Sequence, residues 1–377
     1  MLIALATCII GFLVTWGLTP SVRALAIRRG IVSVPNPRSV HTKPVPYLGG
    51  LTLYVGFLAA AAFGLGVRHE LIAVLAVGGG AIMLLGLIDD VRPLSASFKL
   101  AVEFLVAGGT VMAGVQIQWV THPLGGMFVL GWWGIPLTIV WLVAVTNLLN
   151  VIDGLDGLAT GITAIVGLTL FFACLQSGQA HTALLTAALA GAAIGFLPHN
   201  FNPAKIFMGD SGALFLGYAI AVISVEGPIK SAATVALFVP ILALGVPIID
   251  AAFAVWRRAR SRRSLGLADR DHLHHRLLHL GYSQRQAVLL MYSASGFFGA
   301  SALTLAELTT TQAALLLALV FSVVLVGLRR TGLLGGGAST AAGSGSGSSS
   351  SAGPSLGAGT SPGLNAAAGP GPDADTP

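Results

Sequence analysis

Five aspartates fall in three short stretches that are punctuated by glycine: Asp89-Asp90, then Asp153 and Asp156, then Asp210. Carboxylates gathered in this way need cations. Mg2+ is the natural guest, because it takes hard oxygen ligands and usually shares them with substrate phosphates. In Asn147-Leu148-Leu149-Asn150-Val151-Ile152-Asp153-Gly154-Leu155-Asp156-Gly157, two amides and two carboxylates recur at three-residue steps. On a continuing helix that spacing puts them on nearly one face, where they chelate a cation or read the polar groups of a ligand. A capped helix end accounts for one such residue, not four. Phe207-Met208-Gly209-Asp210-Ser211-Gly212 sets small residues around one acid at a helix start, which allows close backbone approach to phosphate or metal. Asp271-His272-Leu273-His274-His275-Arg276 is cationic. No cysteine accompanies it and adjacent histidines rarely share one ion, so phosphate contact is the better reading than zinc, with Arg276 as a bidentate donor. A further basic stretch, Val34 to Gly50, is proline-rich and ends in the pair Gly49-Gly50.

The elements that must position these residues are apolar. Hydrophobic residues make up 55% of the chain and charged residues 9%, against roughly 25% charged in a soluble domain. The mean hydropathy is +0.85. A chain so poor in charge has lipid as its solvent. Runs long enough to cross a ~30 Å hydrocarbon core occur at 2–18, 48–67, 71–88, 98–115, 133–149, 158–175, 182–198, 211–226, 231–249, 287–305 and 312–328. The first run has no basic residue before it and no small-residue cleavage site after it, so it reads as an uncleaved helix rather than a signal peptide. Cys8 and Cys174 both sit in apolar runs, which argues against a disulfide framework or a cysteine metal site. Residues 331–377 are Gly, Ser, Ala and Pro without periodicity and read as a disordered tail after a membrane domain at 1–330.

The expected fold is therefore an all-α polytopic membrane protein of about eleven transmembrane helices. An odd number of spans puts the termini on opposite sides. With the N-terminus outside and the C-terminus cytoplasmic, the inner loops hold 18 of the 20 Lys and Arg residues, leaving only Arg68 and Lys230 outside. The same arrangement sets Asp89, Asp90, Asp153, Asp156, Asp210, Asp250, Asp269 and Asp271 on the inner face, with six of the nine histidines. The basic residues are then juxtamembrane anchors facing anionic lipid, which excludes nucleic acid as their partner. An ion-coupled transporter is the alternative of another class, since intramembrane acids often mark ion paths. Such sites lie near the bilayer midplane, and here only Glu103 does.

These motifs, in this order, resemble the polyprenyl-phosphate N-acetylhexosamine-1-phosphate transferases. The resemblance runs from about residue 20 to about 285, and to the last span by topology. It is carried by Asp89-Asp90, the Asn/Asp array at 147–157, Asn200 with Pro203 and Met208-Gly209-Asp210-Ser211-Gly212, and His272-Leu273-His274-His275-Arg276. It implies a magnesium-dependent enzyme of the bacterial inner membrane, with Mn2+ as a substitute metal and the active site on the cytoplasmic face. It also implies the partners: a polyprenyl phosphate, undecaprenyl or decaprenyl, attacks a UDP-N-acetylhexosamine and releases UMP, and members often form homodimers. Asn150 and Asp210 then look like metal ligands, supported by Asp153 and Asp156. Asp89 or Asp90 becomes the base or positioner at the attacking phosphate, and Lys99 holds the lipid phosphate. Asn200 becomes a nucleotide contact, and His272, His274, His275 and Arg276 the diphosphate and sugar loop. Many relatives have a third aspartate where this chain has Pro93, so no third acid is invoked. The His-x-His-His-Arg pattern is that of the GlcNAc-type members, whereas the phospho-MurNAc-pentapeptide transferases, the same-class alternative, carry three histidines in a run. The products of this chemistry open lipopolysaccharide, teichoic acid, arabinogalactan and exopolysaccharide synthesis.

The charge asymmetry makes a direct prediction. A reporter fused after residue 68 reads as external and one fused after residue 265 as internal; reversal of either overturns the arrangement.

Overall fold

The structure is a computed structural model and describes residues 1–33, 44–121, 127–227, 238–260, 272–305, 308 and 310–330. Most of the basic stretch after Val34, Asp269, Asp271 and the tail expected at 331–377 lie outside the described residues. The helices are α1 (Leu2–Arg28), α2 (Gly49–Leu65), α3 (Glu70–Val91), α4 (Ala96–Met112), α5 (Gly134–Ile152), α6 (Leu158–Gln176), α7 (Ala180–Asn200), α8 (Gly209–Glu226), α9 (Phe238–Ala243), α10 (Gly245–Arg260), α11 (Leu273–His279), α12 (Gln284–Leu305) and α13 (Thr310–Arg330). Two small antiparallel pairs interrupt them: β1 (Val32–Ser33) with β2 (Val45–Pro46), and β3 (Trp119–Thr121) with β4 (Met127–Val129). The all-helical expectation is thus right for the scaffold and omits these two hairpins.

Among the described residues, seven helices are both long and apolar enough to cross a membrane: α1, α3, α5 with the short turn before it, α6, α7, α8 and α12. Helices also stand at the other expected spans: α2 and α4 have 17 residues each, and the apolar part of α13 is Thr311–Gly327. The ninth expected span, 231–249, begins outside the described residues and is not one helix from 238 onward. It breaks between α9 and α10 at Leu244. Pro247 has no amide to return to the preceding turn, and Gly245 lies beside the break. α10 then continues past Asp250, so this acid lies within a helix rather than at its end.

The packing follows membrane rules. α1 buries Ala4, Thr7, Gly11, Thr15 and Thr19 while exposing Leu2, Leu5, Ile9, Leu13 and Trp16. Small residues face protein and large apolar residues face outward, because lipid solvates the latter and close backbone approach rewards the former. Against α7 the approach is set by Gly191 and Gly195: a methyl group at either would lie 2.9 Å from the Cα of Cys8 or Phe12. Thr7 bonds its own helix, Oγ1 to the Ile3 carbonyl at 2.8 Å, while Thr19 bonds both the Thr15 carbonyl at 2.6 Å and Thr52 Oγ1 of α2 at 3.3 Å.

α8 is the axis of the assembly. Every residue from Ser211 to Val225 is buried. α2, α3, α5, α6 and α7 all pack on it. Trp141 Nε1 of α5 donates to Ser224 Oγ at 2.9 Å, and Thr110 of α4 bonds Tyr218 through their hydroxyls at 2.7 Å. At its starting end α8 is met by bare backbone: an added methyl at Gly86 of α3 would lie 2.5 Å from the Asp210 carbonyl carbon, and one at Gly50 of α2 would lie 2.8 Å from Gly212 Cα. Gly86→Ala must therefore push the start of α8 away. Expected is a loss of about 1–3 kcal/mol, read as a lower midpoint of thermal unfolding in detergent. An unchanged midpoint would show that the approach is not rigid.

Candidate functional site

The site is built around the start of α8. Gly209 opens the helix with φ +71, a left-handed conformation that glycine adopts without strain, and a methyl there would lie 2.9 Å from the Asp90 carboxyl carbon. Asp90, in the last turn of α3, accepts the amides of Asp210 at 2.9 Å and Ser211 at 3.2 Å. Its carboxylate thus caps a helix it does not belong to, where the helix dipole favours negative charge. The opposite side of this start is held by main chain. Phe207 N donates to the Pro46 carbonyl at 2.9 Å, Gly49 N to Phe207 O at 3.0 Å and Gly50 N to Met208 O at 2.9 Å.

Asp89 turns the other way. Its Oδ1 accepts the Leu94 amide at 2.6 Å and its Oδ2 meets Lys99 Nζ at 2.6 Å. Lys99 stands in the first turn of α4, which Ser95 caps through the Phe98 amide at 3.3 Å. The same Nζ reaches Asp210 Oδ2 at 3.3 Å. One ammonium therefore joins the acids of α3 and α8.

The array at 147–157 does not continue as a helix. α5 ends at Ile152, Asp153 follows at its end, and Asp156 lies in the turn to α6, so the four polar residues do not share one helical face. Asn147 Nδ2 makes a short hydrogen bond to Glu103 Oε2, pairing the one acid well inside a span. Asp156 Oδ2 accepts Asn202 Nδ2 and the Ala204 amide, both at 3.0 Å. Asp153 is pushed up to about 8, first by burial and then by Asp210, Asp90 and Asp156. That carboxyl group senses the other acids of the site, so the three stretches converge.

The histidine loop reaches the same place. A methyl at Gly154 would run into the ring of His274 at Nε2, so that ring rests on the turn between Asp153 and Asp156. His274 is 2% exposed and lies parallel to His272, centroids 5.7 Å apart. Burial and the neighbouring His275 lower it to about 4, so it is neutral at physiological pH. His274 Nδ1 and Arg276 Nε are buried without a partner. Polar atoms left so are exceptions in folded proteins. Asn200 is different: its Oδ1 accepts Thr160 Oγ1 at 2.8 Å, its Nδ2 donates to the Ile206 carbonyl at 3.1 Å, and it is 2% exposed. In this structure it braces the 201–208 loop.

The donor set suits a hard divalent ion that completes its shell with substrate. Among the described residues no three His, Cys, Asp or Glu side chains form a ready cage. Yet Asp210 keeps a third of its side chain exposed, Asn150 Nδ2 is buried without a partner, and Asp153 is held toward its neutral form by burial and then by the nearby acids. Mg2+ is commonly held by one or two carboxylates plus phosphate oxygens. Sequence reasoning missed three supports of the site. Asp250 bonds the histidine loop, Glu103 bonds Asn147, and Gln284 bonds Asn202 at 2.7 Å. Glu103 gave a signal as a lone acid in an apolar run and Asp250 as one of the acids expected on the inner face, while Gln284 gave none.

Known proteins match this chain over most of its length. The profile of glycosyl transferase family 4 matches residues 72–228. A Bacillus subtilis protein named "Probable undecaprenyl-phosphate N-acetylglucosaminyl 1-phosphate transferase" is 39% identical over 303 residues, covering 80% of this chain and 84% of its own. The decaprenyl-phosphate N-acetylglucosaminephosphotransferase of Mycolicibacterium smegmatis is 39% identical over 321 residues, covering 77% and 79%. The undecaprenyl-phosphate alpha-N-acetylglucosaminyl 1-phosphate transferase of Yersinia pestis is 27% identical over 286 residues, covering 72% and 76%. With its acids, lysine and histidine loop drawn to one end of a helical membrane scaffold, the chain belongs to glycosyl transferase family 4, the family of the polyprenyl-phosphate N-acetylhexosamine-1-phosphate transferases that its motifs resemble.

Proposed function

We propose that this chain transfers N-acetylglucosamine 1-phosphate from UDP-GlcNAc to a polyprenyl phosphate, as the first membrane step of a cell-envelope polysaccharide. The observation that carries this reading is Lys99 held between Asp89 and Asp210, beside the turn on which His274 rests. A single cation and a group of unpartnered polar atoms there suit two phosphate-bearing reactants. An oxygen of the lipid phosphate attacks the β-phosphorus of the donor. The bond from that phosphorus to the bridging oxygen breaks, its electron pair leaves with UMP, and a lipid diphosphosugar remains.

The work of the protein in such a reaction is positioning and neutralising charge. Lys99 holds the lipid phosphate. A phosphate monoester is already largely ionised at neutral pH, with a second pKa of about 6, so the attack needs no strong base. Asp89 and Asp90 then act as positioners, the first through Lys99 and the second through the start of α8. His272, His274, His275 and Arg276 receive the diphosphate and sugar. Asp210 and Asn150 would hold Mg2+, with Asp153 and Asp156 close by. Bound there, the ion would neutralise charge on the diphosphate. Eleven crossings with the N-terminus outside put this site on the cytoplasmic face of a bacterial inner membrane.

Two predictions test the reading. Asp210→Asn keeps the backbone amide that Asp90 accepts, so the protein inserts normally, while lipid-linked product falls by about 100-fold or more; chelation of divalent ions has the same effect on the unaltered protein and added Mg2+ reverses it. Full turnover in chelator would remove the metal. Lys99→Ala raises the KM for polyprenyl phosphate by about 10-fold or more, the worth of one hydrogen bond to a charged group, and leaves the KM for UDP-GlcNAc within about twofold. The opposite split would reassign Lys99 to the donor.

A further inference from the structure

Asp250 belongs to none of the motifs that define the site. It lies within α10, 22 positions before His272, and residues 261–271 between them are outside the described residues. It is 2% exposed. Both of its oxygens bond the histidine loop: Oδ2 meets His272 Nδ1 at 3.0 Å and Oδ1 accepts the Leu273 amide at 2.7 Å. No side chain of α11 caps its own helix start.

A buried carboxylate is tolerated only when its oxygens are bonded. Capping α11 needs one of them. The second is spent on an imidazole. An ionised carboxylate accepts and cannot donate, so Nδ1 of His272 must carry a proton. That settles both the tautomer and the ring plane, leaving Nε2 as the ring nitrogen available to a ligand. The ring so fixed lies parallel to that of His274, which in turn rests on Gly154 between Asp153 and Asp156. The chain of contact runs from α10 through two rings to the aspartates.

We infer that Asp250 is a positioning residue for the donor: by gripping Nδ1 of His272 it presents Nε2 to the diphosphate-sugar. This rests on the reading of the histidine loop as the donor contact. Asp250 itself touches no reactant.

The test is a double-mutant cycle on the full-length protein in membranes or detergent, with UDP-GlcNAc and a polyprenyl phosphate as probes. Asp250→Asn keeps an oxygen for the Leu273 amide but sets an NH2 group against Nδ1–H. It is expected to lower kcat/KM for UDP-GlcNAc by about tenfold or more, with the KM for polyprenyl phosphate within about twofold. In a His272→Ala background the same change is expected to cost no more than about twofold further, because the two residues act as one unit. An equal loss in both backgrounds, or none in either, overturns the inference. A His272→Ala protein with unaltered use of UDP-GlcNAc overturns instead the reading of the loop on which it rests. Should Asp250→Asn fail to accumulate, His272→Asn decides: its amide can still bond Asp250 but has no second ring nitrogen. Loss of donor use equal to that of His272→Ala supports the inference, and wild-type activity refutes it.

Discussion

Two backbone amides at the start of α8, accepted by the carboxylate of Asp90, are the constraint on which the rest depends. They let an acid sit at the end of an apolar helix without a counter-ion of its own, because the uncapped helix terminus supplies positive charge from the peptide dipoles. That contact draws α3 against α8 so closely that only glycine fits at positions 86 and 209. It also decides which neighbour has a free role. Asp90 is committed to structure, so Asp89 is the acid left to share Lys99 with Asp210. Adjacent aspartates of identical chemistry thus acquire different duties from the direction in which each points.

Much of this could be read from the chain because its solvent is lipid. The scarcity of charge made each buried acid conspicuous, and the basic residues marked the ends of the helices. The motif residues were identified by type alone, and the structure brings Asp89, Asp90, Asp153, Asp210 and Lys99 to one place. What escaped was everything that depends on the chain meeting itself. Three-residue spacing suggested that Asp153 and Asp156 continue a helical face, whereas the turn after Ile152 sends them elsewhere. The apolar run before Asp250 hid a break, since its prolines matter only once a helix is attempted. Asn200 carries polar groups that a ligand could use, yet Thr160 and the Ile206 carbonyl satisfy them from within. The pairing of Asp250 with His272 has no local signature at all.

The scaffold and the site use opposite means of attachment. Below the site, helices are joined by the absence of side chains, as where Gly191 and Gly195 admit α1 to the backbone of α7. Threonines there turn inward on their own carbonyls, as Thr7 does, or meet a neighbouring helix, as Thr19 Oγ1 meets Thr52 Oγ1 at 3.3 Å. At the site, polar side chains reach across elements: Arg23 to the Lys205 carbonyl at 2.9 Å, Arg285 to the Asn202 carbonyl at 3.0 Å, Asn202 to Asp156. Neutral bonds between helices occur in the first region too, as Trp141 to Ser224 and Thr110 to Tyr218, whereas ionic side chains that reach across elements gather at the end where ionic reactants can arrive.

The pentapeptide Asp153-Gly154-Leu155-Asp156-Gly157 contains two glycines that are needed for unrelated reasons. Gly157 has φ +80, a backbone conformation that side chains resist wherever they point. Gly154 has no such conformation; it is small because the ring of His274 occupies the space a methyl would take. The first requirement is local and no change elsewhere in the protein can lift it. The second is a bargain between two residues 120 positions apart, and a smaller partner at 274 could relax it. Within five residues, one glycine is required by its own backbone and the other by a distant histidine.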